Sequence, residues 1–265
     1  MSRPVVSRPA RAIVGDALEP FNPTLAVVMR HALFRTGVDT TSSTTHRRCL
    51  VIAPHPDDET LGAGVTIMRK VDAGTAVHLL VATDGSKSPP GDPAEVSALR
   101  AAELEAACTV LGLSGGDVTQ LDFVDAELEG QEEALASAIA DVVARVEPAD
   151  VLVTADTDPH GDHAVLGAAT RRALVGTGAR LLFYPVWHYD RPGRLVRLVR
   201  HSGRPELVST RGYLDRKRAA IAAYPSQMAA RNDDPEGLTP RFLTHFVGKY
   251  EMFFPVPVAP GPKGA

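Results

Sequence analysis

Cysteine is nearly absent from this chain. Cys49 and Cys108 are the only two among 265 residues, and they form no Cys-x-x-Cys pair. A disulfide framework and a cysteine-built structural zinc site are therefore excluded. Each thiol sits in an apolar context and reads as a buried structural residue. Long apolar runs are missing too: no window approaches the roughly 20 apolar residues that a membrane helix needs. Met1 to Ala10 carries two arginines but not the apolar stretch of about 7 to 15 residues that marks a signal peptide. The expectation is a cytoplasmic protein with no membrane span. Nor is there an excess of positive charge, and a formal net charge of −4 lacks the basic footprint of a nucleic-acid binder. Aromatic residues make up 5%, with one tryptophan, so that Trp187 stands out wherever it falls.

With 44% hydrophobic residues, the chain can build one sizeable α/β core. Residues 1–47 read as an N-terminal extension. It is rich in Pro and Arg to about Pro23, then carries one amphipathic helix with Leu25, Val28, Met29 and Leu33 on a face, then a polar linker from Thr40 to Thr45. Residues 48–255 read as a single domain and 256–265 as a flexible tail. Within the domain, short apolar runs predict strands at 49–53, 76–82, 118–122, 150–155 and 180–185. They alternate with helical periods at about 60–73, 94–112, 131–147 and 163–176. Such alternation predicts a Rossmann-like, mostly parallel sheet flanked by helices, because parallel neighbours need a crossover. Arg194 to Val199 alternates in a way that predicts a further strand, and a helix is expected from about Gly212 to Tyr224.

In open α/β sheets ligands bind beyond the carboxyl ends of the strands, and the polar residues collect there. His55, Asp57 and Asp58 follow the first of these strands, Thr83-Asp84-Gly85-Ser86 the second and Asp125 the third. His160-Gly161-Asp162-His163 follows the fourth, and Trp187 and His188 follow the fifth. On a strand-to-helix turn, His55 and Asp58 can point at one cation while Asp57 points elsewhere as a base. His163 is the natural third ligand. Two His and one carboxylate, with a fourth position left for water, is the make-up of a catalytic zinc site, and points to hydrolysis. Turn formation and helix capping by Asp57 or Asp162 is the competing structural reading.

Pro54-His55-Pro56-Asp57-Asp58-Glu59, together with His160-Gly161-Asp162-His163, resembles the PIG-L/LmbE-like deacetylases. Lys217-Arg218-Ala219-Ala220 leading to Tyr224-Pro225-Ser226-Gln227 is also similar to the family. The resemblance implies His55, Asp58 and His163 as zinc ligands, iron(II) being the other candidate metal, and Asp57 as the general base. It implies that His160 stabilises the oxyanion or helps protonate the leaving amine, with Asp162 orienting it. Gly161 stands where many relatives carry Pro. Glu59 reads as a carboxylate behind the turn. Arg100 with Glu103, and Asp125, resemble family positions that contact sugar hydroxyls. Asp84, Trp187 and His188 complete the expected substrate contacts, the last two as an aromatic and imidazole rim suited to stacking on a sugar.

The implied reaction is hydrolysis of an N-acyl, most simply N-acetyl, group on an amino sugar or glycoside. A mycothiol-type conjugate is the alternative amide, and a non-catalytic α/β binding protein is the alternative class. A dinucleotide fingerprint fails, since Ile67 stands where Gly62-x-Gly64-x-x-Gly would need its third glycine. The loops 87–93 and 231–237 are expected near the mouth of the site.

Overall fold

The computed structural model describes residues 23–228 and 238–261. Among them, eight strands form one mixed, mostly parallel sheet, in the order β1 (Val38–Asp39), β7 (Glu206–Ser209), β8 (Tyr250–Val256), β6 (Arg180–Tyr184), β5 (Asp150–Thr154), β2 (Cys49–Ala53), β3 (Val77–Thr83) and β4 (Val118–Phe123). Its centre is β2 (Cys49–Ala53), whose side chains are all buried, hydrogen-bonded in parallel to β3 (Val77–Thr83) on one side and to β5 (Asp150–Thr154) on the other. β4 (Val118–Phe123) extends β3, and β6 (Arg180–Tyr184) extends β5. Runs such as Leu50-Val51-Ile52 and Val151-Leu152-Val153 are apolar on both faces because helices cover both sides. The covering helices are α3 (Asp58–Asp72), α4 (Pro93–Leu111), α5 (Glu132–Val146) and α6 (Gly161–Ala173).

Local chemistry sets the helix ends. Asp92 Oδ1 accepts the amides of Ala94 and Glu95 at 3.0 and 3.2 Å and caps α4, with Pro93 in its first turn. Gly112, at φ 89°, ends the helix in the left-handed region. Two other glycines permit close packing near the sheet centre. A Cβ on Gly62 would lie 2.1 Å from the Tyr184 ring, and one on Gly167 would lie 2.6 Å from the Thr154 carbonyl oxygen. The first lets Tyr184 reach across to donate to the Ile52 carbonyl at 2.8 Å, and the second seats α6 directly on the end of β5.

Several expectations are corrected. Arg194 to Val199 is no strand but part of α7 (Pro192–Ser202). Its apolar residues fall at helical spacing, with Leu195 and Leu198 buried and Pro192 in the first turn. Thr40 to Thr45 is no linker: Thr41–Thr45 forms the one-turn α2, and Val38–Asp39 adds β1 to the sheet beside β7 (Glu206–Ser209). The helix expected in the N-terminal segment is α1 (Pro23–Thr36), whose Met29, Leu33 and Phe34 pack on the core.

The strand β8 (Tyr250–Val256), unforeseen from the sequence, runs antiparallel between β6 and β7. Its Glu251 accepts the amides of Val65 and Thr66, both at 2.8 Å, and pairs with Lys217 of α8 (Leu214–Ala222) at 2.6 Å. Lys217 is thus fully buried. Both cysteines are free and buried, and no described helix is long and apolar enough to cross a membrane. The loop 231–237 and the last residues of the tail, 262–265, lie outside the described residues.

Candidate metal centre and active site

β2 and β5 are adjacent, yet their crossovers leave in opposite directions, so the strand order reverses between them. A crevice opens at the carboxyl ends of the strands at such a switch point. Here it is a cavity of about 480 Å³ whose lining includes His55, Asp57, Asp58, Arg100, Asp125, His160 and His163. The size suits a sugar with a substituent.

His55 and Asp58 come from the turn after β2, and His163 from the first turn of α6. His55 Nδ1 and His163 Nε2 lie 3.2 and 3.3 Å from the same atom, Asp58 Oδ2, and one donor atom from each residue falls within 4.8 Å of the others. A carboxylate stands behind each histidine. His55 Nε2 lies 3.0 Å from Asp125 and 3.2 Å from Asp162; His163 Nδ1 faces Asp158 at 3.7 Å, too far for a hydrogen bond. Carboxylates behind imidazoles orient metal-binding histidines in this way.

The donor set fits a divalent cation on physical grounds. Asp57, Asp58, Asp125, Asp158 and Asp162 are all at least nine-tenths buried, against one guanidinium of similar burial in the lining, that of Arg100. Burial alone would disfavour charged imidazoles. Nevertheless, hydrogen bonds that the His55 ring donates to Asp125, Asp162 and Asp58 lift its pKa well above the ordinary value, and Asp58 and Asp158 lift that of His163 to about 9. The pocket is thus built to hold positive charge where these donors meet. His55, His160 and Asp162 also bring donors within 4.8 Å of one another. Asp162, however, already accepts from the Ala126 and Leu128 amides at 2.8 and 3.3 Å as well as facing His55. The trio containing Asp58 and His163 is therefore the better cation site.

Asp57 is set apart by its backbone. At φ 134° it occupies a region that side chains rarely adopt, and its carboxylate caps no helix, which removes the capping reading. Such strain costs on the order of 1–3 kcal/mol and persists only when neighbours impose it. Here Glu59 Oε2 accepts the Asp57 amide at 3.0 Å, and Tyr224 and Thr60 hydroxyls bind Glu59 Oε1 at 2.6 and 2.5 Å. Glu59 does hold the turn. Arg100 donates to the Pro56 carbonyl and stands 3.5 Å from Asp57. Burial pushes the Asp57 carboxyl up to about 7, with Asp58 and Glu59 adding to the rise and Arg100 opposing it. Burial, together with His163 and His55, lowers His160 to about 4 and keeps that imidazole neutral.

Of the expected site residues, His55, Asp57, Asp58, His160, His163, Arg100, Asp125 and Trp187 all line the cavity. Three expectations need correction. Asp162 makes no hydrogen bond to His160; its oxygens serve His55 and two amides, so it braces His55 instead. Asp84 lies behind the lining, where Oδ1 accepts the Ser86 and Asp125 amides at 3.0 and 3.1 Å. His188 is fully buried, 3.1 Å from Thr157 and 3.2 Å from Asp158, and is no rim residue. Asp158 went unrecognised in the sequence, although it stands two residues before His160 at a strand end. Gln227, also in the lining, ends the Tyr224-Pro225-Ser226-Gln227 stretch that the sequence marks without giving it a role, whereas Val186 and Leu238 carry no sequence signal that separates them from ordinary packing residues.

Comparison with known proteins bears on this geometry. Residues 50–174 match the family described as PIG-L: GlcNAc-PI de-N-acetylase. By sequence, the chain is similar to 1D-myo-inositol 2-acetamido-2-deoxy-alpha-D-glucopyranoside deacetylase of Kineococcus radiotolerans, 34% identical over 171 residues, 51% of this chain and 47% of that protein. It is also similar to a probable N-acetyl-alpha-D-glucosaminyl L-malate deacetylase of Bacillus cereus, 31% identical over 136 residues, 48% of this chain and 61% of that one. The chain thus matches about half the length of the first relative and less than two thirds of the second. Its fold is that of N,N'-diacetylchitobiose deacetylase from Pyrococcus horikoshii, with a TM-score of 0.65 at 21% identity, covering 91% of this chain and 95% of the other.

Proposed function

We propose that the chain, whose residues 50–174 match the PIG-L family, is a metal-dependent amide hydrolase of that family. Its reaction is removal of the N-acetyl group from an N-acetylglucosaminyl glycoside. The observation that carries this reading is the meeting of His55, Asp58 and His163 around one point on the cavity floor, with Asp57 next to Asp58 in the same turn and lining the same cavity. The two sequence relatives named above share a 2-acetamido-2-deoxyglucose unit in their names and differ in what is joined to it. The acetamido sugar is accordingly the part assigned to the cavity floor.

His55, Asp58 and His163 would hold zinc, which in such a site acidifies a water and polarises a carbonyl oxygen. Asp57 takes the proton of the attacking water, a task suited to a carboxyl whose buried setting raises its basicity. The tetrahedral carbon then expels the amine, and the proton held by Asp57 passes to that nitrogen. His160, neutral and in the cavity lining, serves as a hydrogen-bond donor to the oxygen that gains charge. Arg100 has Nε and Nη1 buried without hydrogen-bond partners, which leaves donors for a substrate hydroxyl. Asp125 lines the same cavity while bracing His55, so any contact it makes with a hydroxyl is shared with the ligand.

The test is a turnover assay on N-acetylglucosaminyl inositol and on aryl N-acetylglucosaminides, read as released amine. Activity abolished by chelation and restored by added zinc supports the reading. A protein that binds metal stoichiometrically yet releases amine from no N-acetylglucosaminide overturns it.

A further inference from the structure

The cavity wall beyond residue 174 is an aromatic cluster that ends on the N-terminal helix. Trp187, the chain's single tryptophan, lines the cavity and stacks on Phe242 of α9 (Pro240–Leu243), with centroids 4.8 Å apart and planes at 19°. Phe242 meets Phe246 edge-on at 5.2 Å, and Phe246 meets Tyr189 at 5.6 Å. Tyr189 in turn lies flat on His245, 5.2 Å away at 4°. Trp187 and Tyr189 belong to one 3₁₀ turn, so two short segments are zipped together by rings.

Helix α9 is a single turn and has no stability of its own. Outside the cluster the segment is held at both ends: before α9 the Leu238 amide donates to the Gln227 carbonyl at 2.9 Å, and after α9 the contact comes from α1. Arg30 Nη1 donates to the Thr244 carbonyl at 3.0 Å and approaches His245 Nδ1 at 3.4 Å, with the arginine only 8% exposed. Burial, with Arg30 and Arg241 nearby, lowers His245 to about 4, so its ring is neutral and able to accept.

We infer that Arg30 is a positioning residue for substrate recognition: from α1 it fixes the turn after α9, so that Phe242 backs Trp187 and Trp187 presents a ring surface to the cavity. The inference rests on the deacetylase reading of that cavity. Its ligand class is the part of the substrate remote from the acetamido group, a second sugar ring or aryl aglycone, because an indole offers an apolar face to ring C–H groups. Specificity for that part is then shared between residues outside the family-matched stretch, one of them far N-terminal to it.

The experiment uses Arg30→Met, which keeps most of the side-chain length and removes the donors. Without substrate, Trp187 emission should shift to the red and become more accessible to acrylamide. With substrate, KM for an aryl N-acetylglucosaminide should rise about 2- to 10-fold, as expected for a lost aromatic contact. The kcat on that glycoside, and KM for free N-acetylglucosamine, should stay near wild type. Arg30→Lys keeps a cation able to reach the Thr244 carbonyl, and should fall between the two in emission and KM even if the Met variant does not fold. Wild-type emission together with wild-type KM, or an equal fall of kcat on both substrates with unchanged emission, overturns the inference. Absence of turnover in the wild type would sink the deacetylase reading instead, while the emission of Trp187 would still decide whether Arg30 holds the wall.

Discussion

The floor and the wall of the cavity are built by different physics. On the floor, His55 alone faces Asp58, Asp125 and Asp162 within 3.2 Å, and His163 faces Asp58 at 3.3 Å, so each charge depends on several others. In the wall, Trp187, Phe242 and Phe246 touch through ring faces and edges around 5 Å apart. Removing one partner from a buried charge network leaves the rest uncompensated, at a cost of roughly 3–5 kcal/mol. Removing one ring from a stack costs about 0.5–1.5 kcal/mol beyond its buried area. The floor should therefore fail abruptly and the wall by degrees.

That contrast can be broken residue by residue. The largest effect is expected for Asp58→Asn, which replaces the carboxylate shared by both histidines; turnover should fall to the background of the amine-release assay. Next comes Asp57→Asn, for which turnover should drop by about 10²- to 10⁴-fold, the usual worth of a general base, while KM changes little. Asp158→Ala removes the carboxylate behind His163 and His188. Titration with zinc in a competing chelator should show affinity lowered by about 10- to 100-fold, in line with other outer partners of metal ligands. Smallest of the four is Trp187→Ala, for which KM on a glycoside should rise about 2- to 10-fold with kcat nearly kept. A Trp187 variant that loses turnover as Asp57→Asn does would erase the distinction between floor and wall.

The same contrast governs how much could be read from the sequence. His55, Asp58 and His163 were legible because titratable residues at two strand ends have few other reasons to be there, and the β-α alternation brings those ends together. The partners of the carboxylates behind that cluster were not, because a carboxylate's partner depends on which way a loop turns. Asp162 reaches His55 and not His160, and Asp84 reaches the Asp125 amide. His188 looked like a rim residue next to Trp187, yet successive residues of a tight turn point in different directions, and it is buried against Asp158. The C-terminal third was least legible. Arg194 to Val199 alternates arginine with apolar residues in a way that fits strand and helix alike, and β8 reveals its place only through pairing with β6 and β7. Val38–Asp39 is too short to signal a strand, and joins the sheet only because β7 is there to receive it.

The central claim is that Asp58 holds the metal and its neighbour Asp57 does not. Metal content per chain, measured side by side on the purified wild type, Asp57→Asn and Asp58→Asn, tests it most directly. One metal in the wild type, one in Asp57→Asn and none in Asp58→Asn is the predicted result. Metal lost from Asp57→Asn and kept in Asp58→Asn, or a wild type that takes up none when offered zinc, would contradict it.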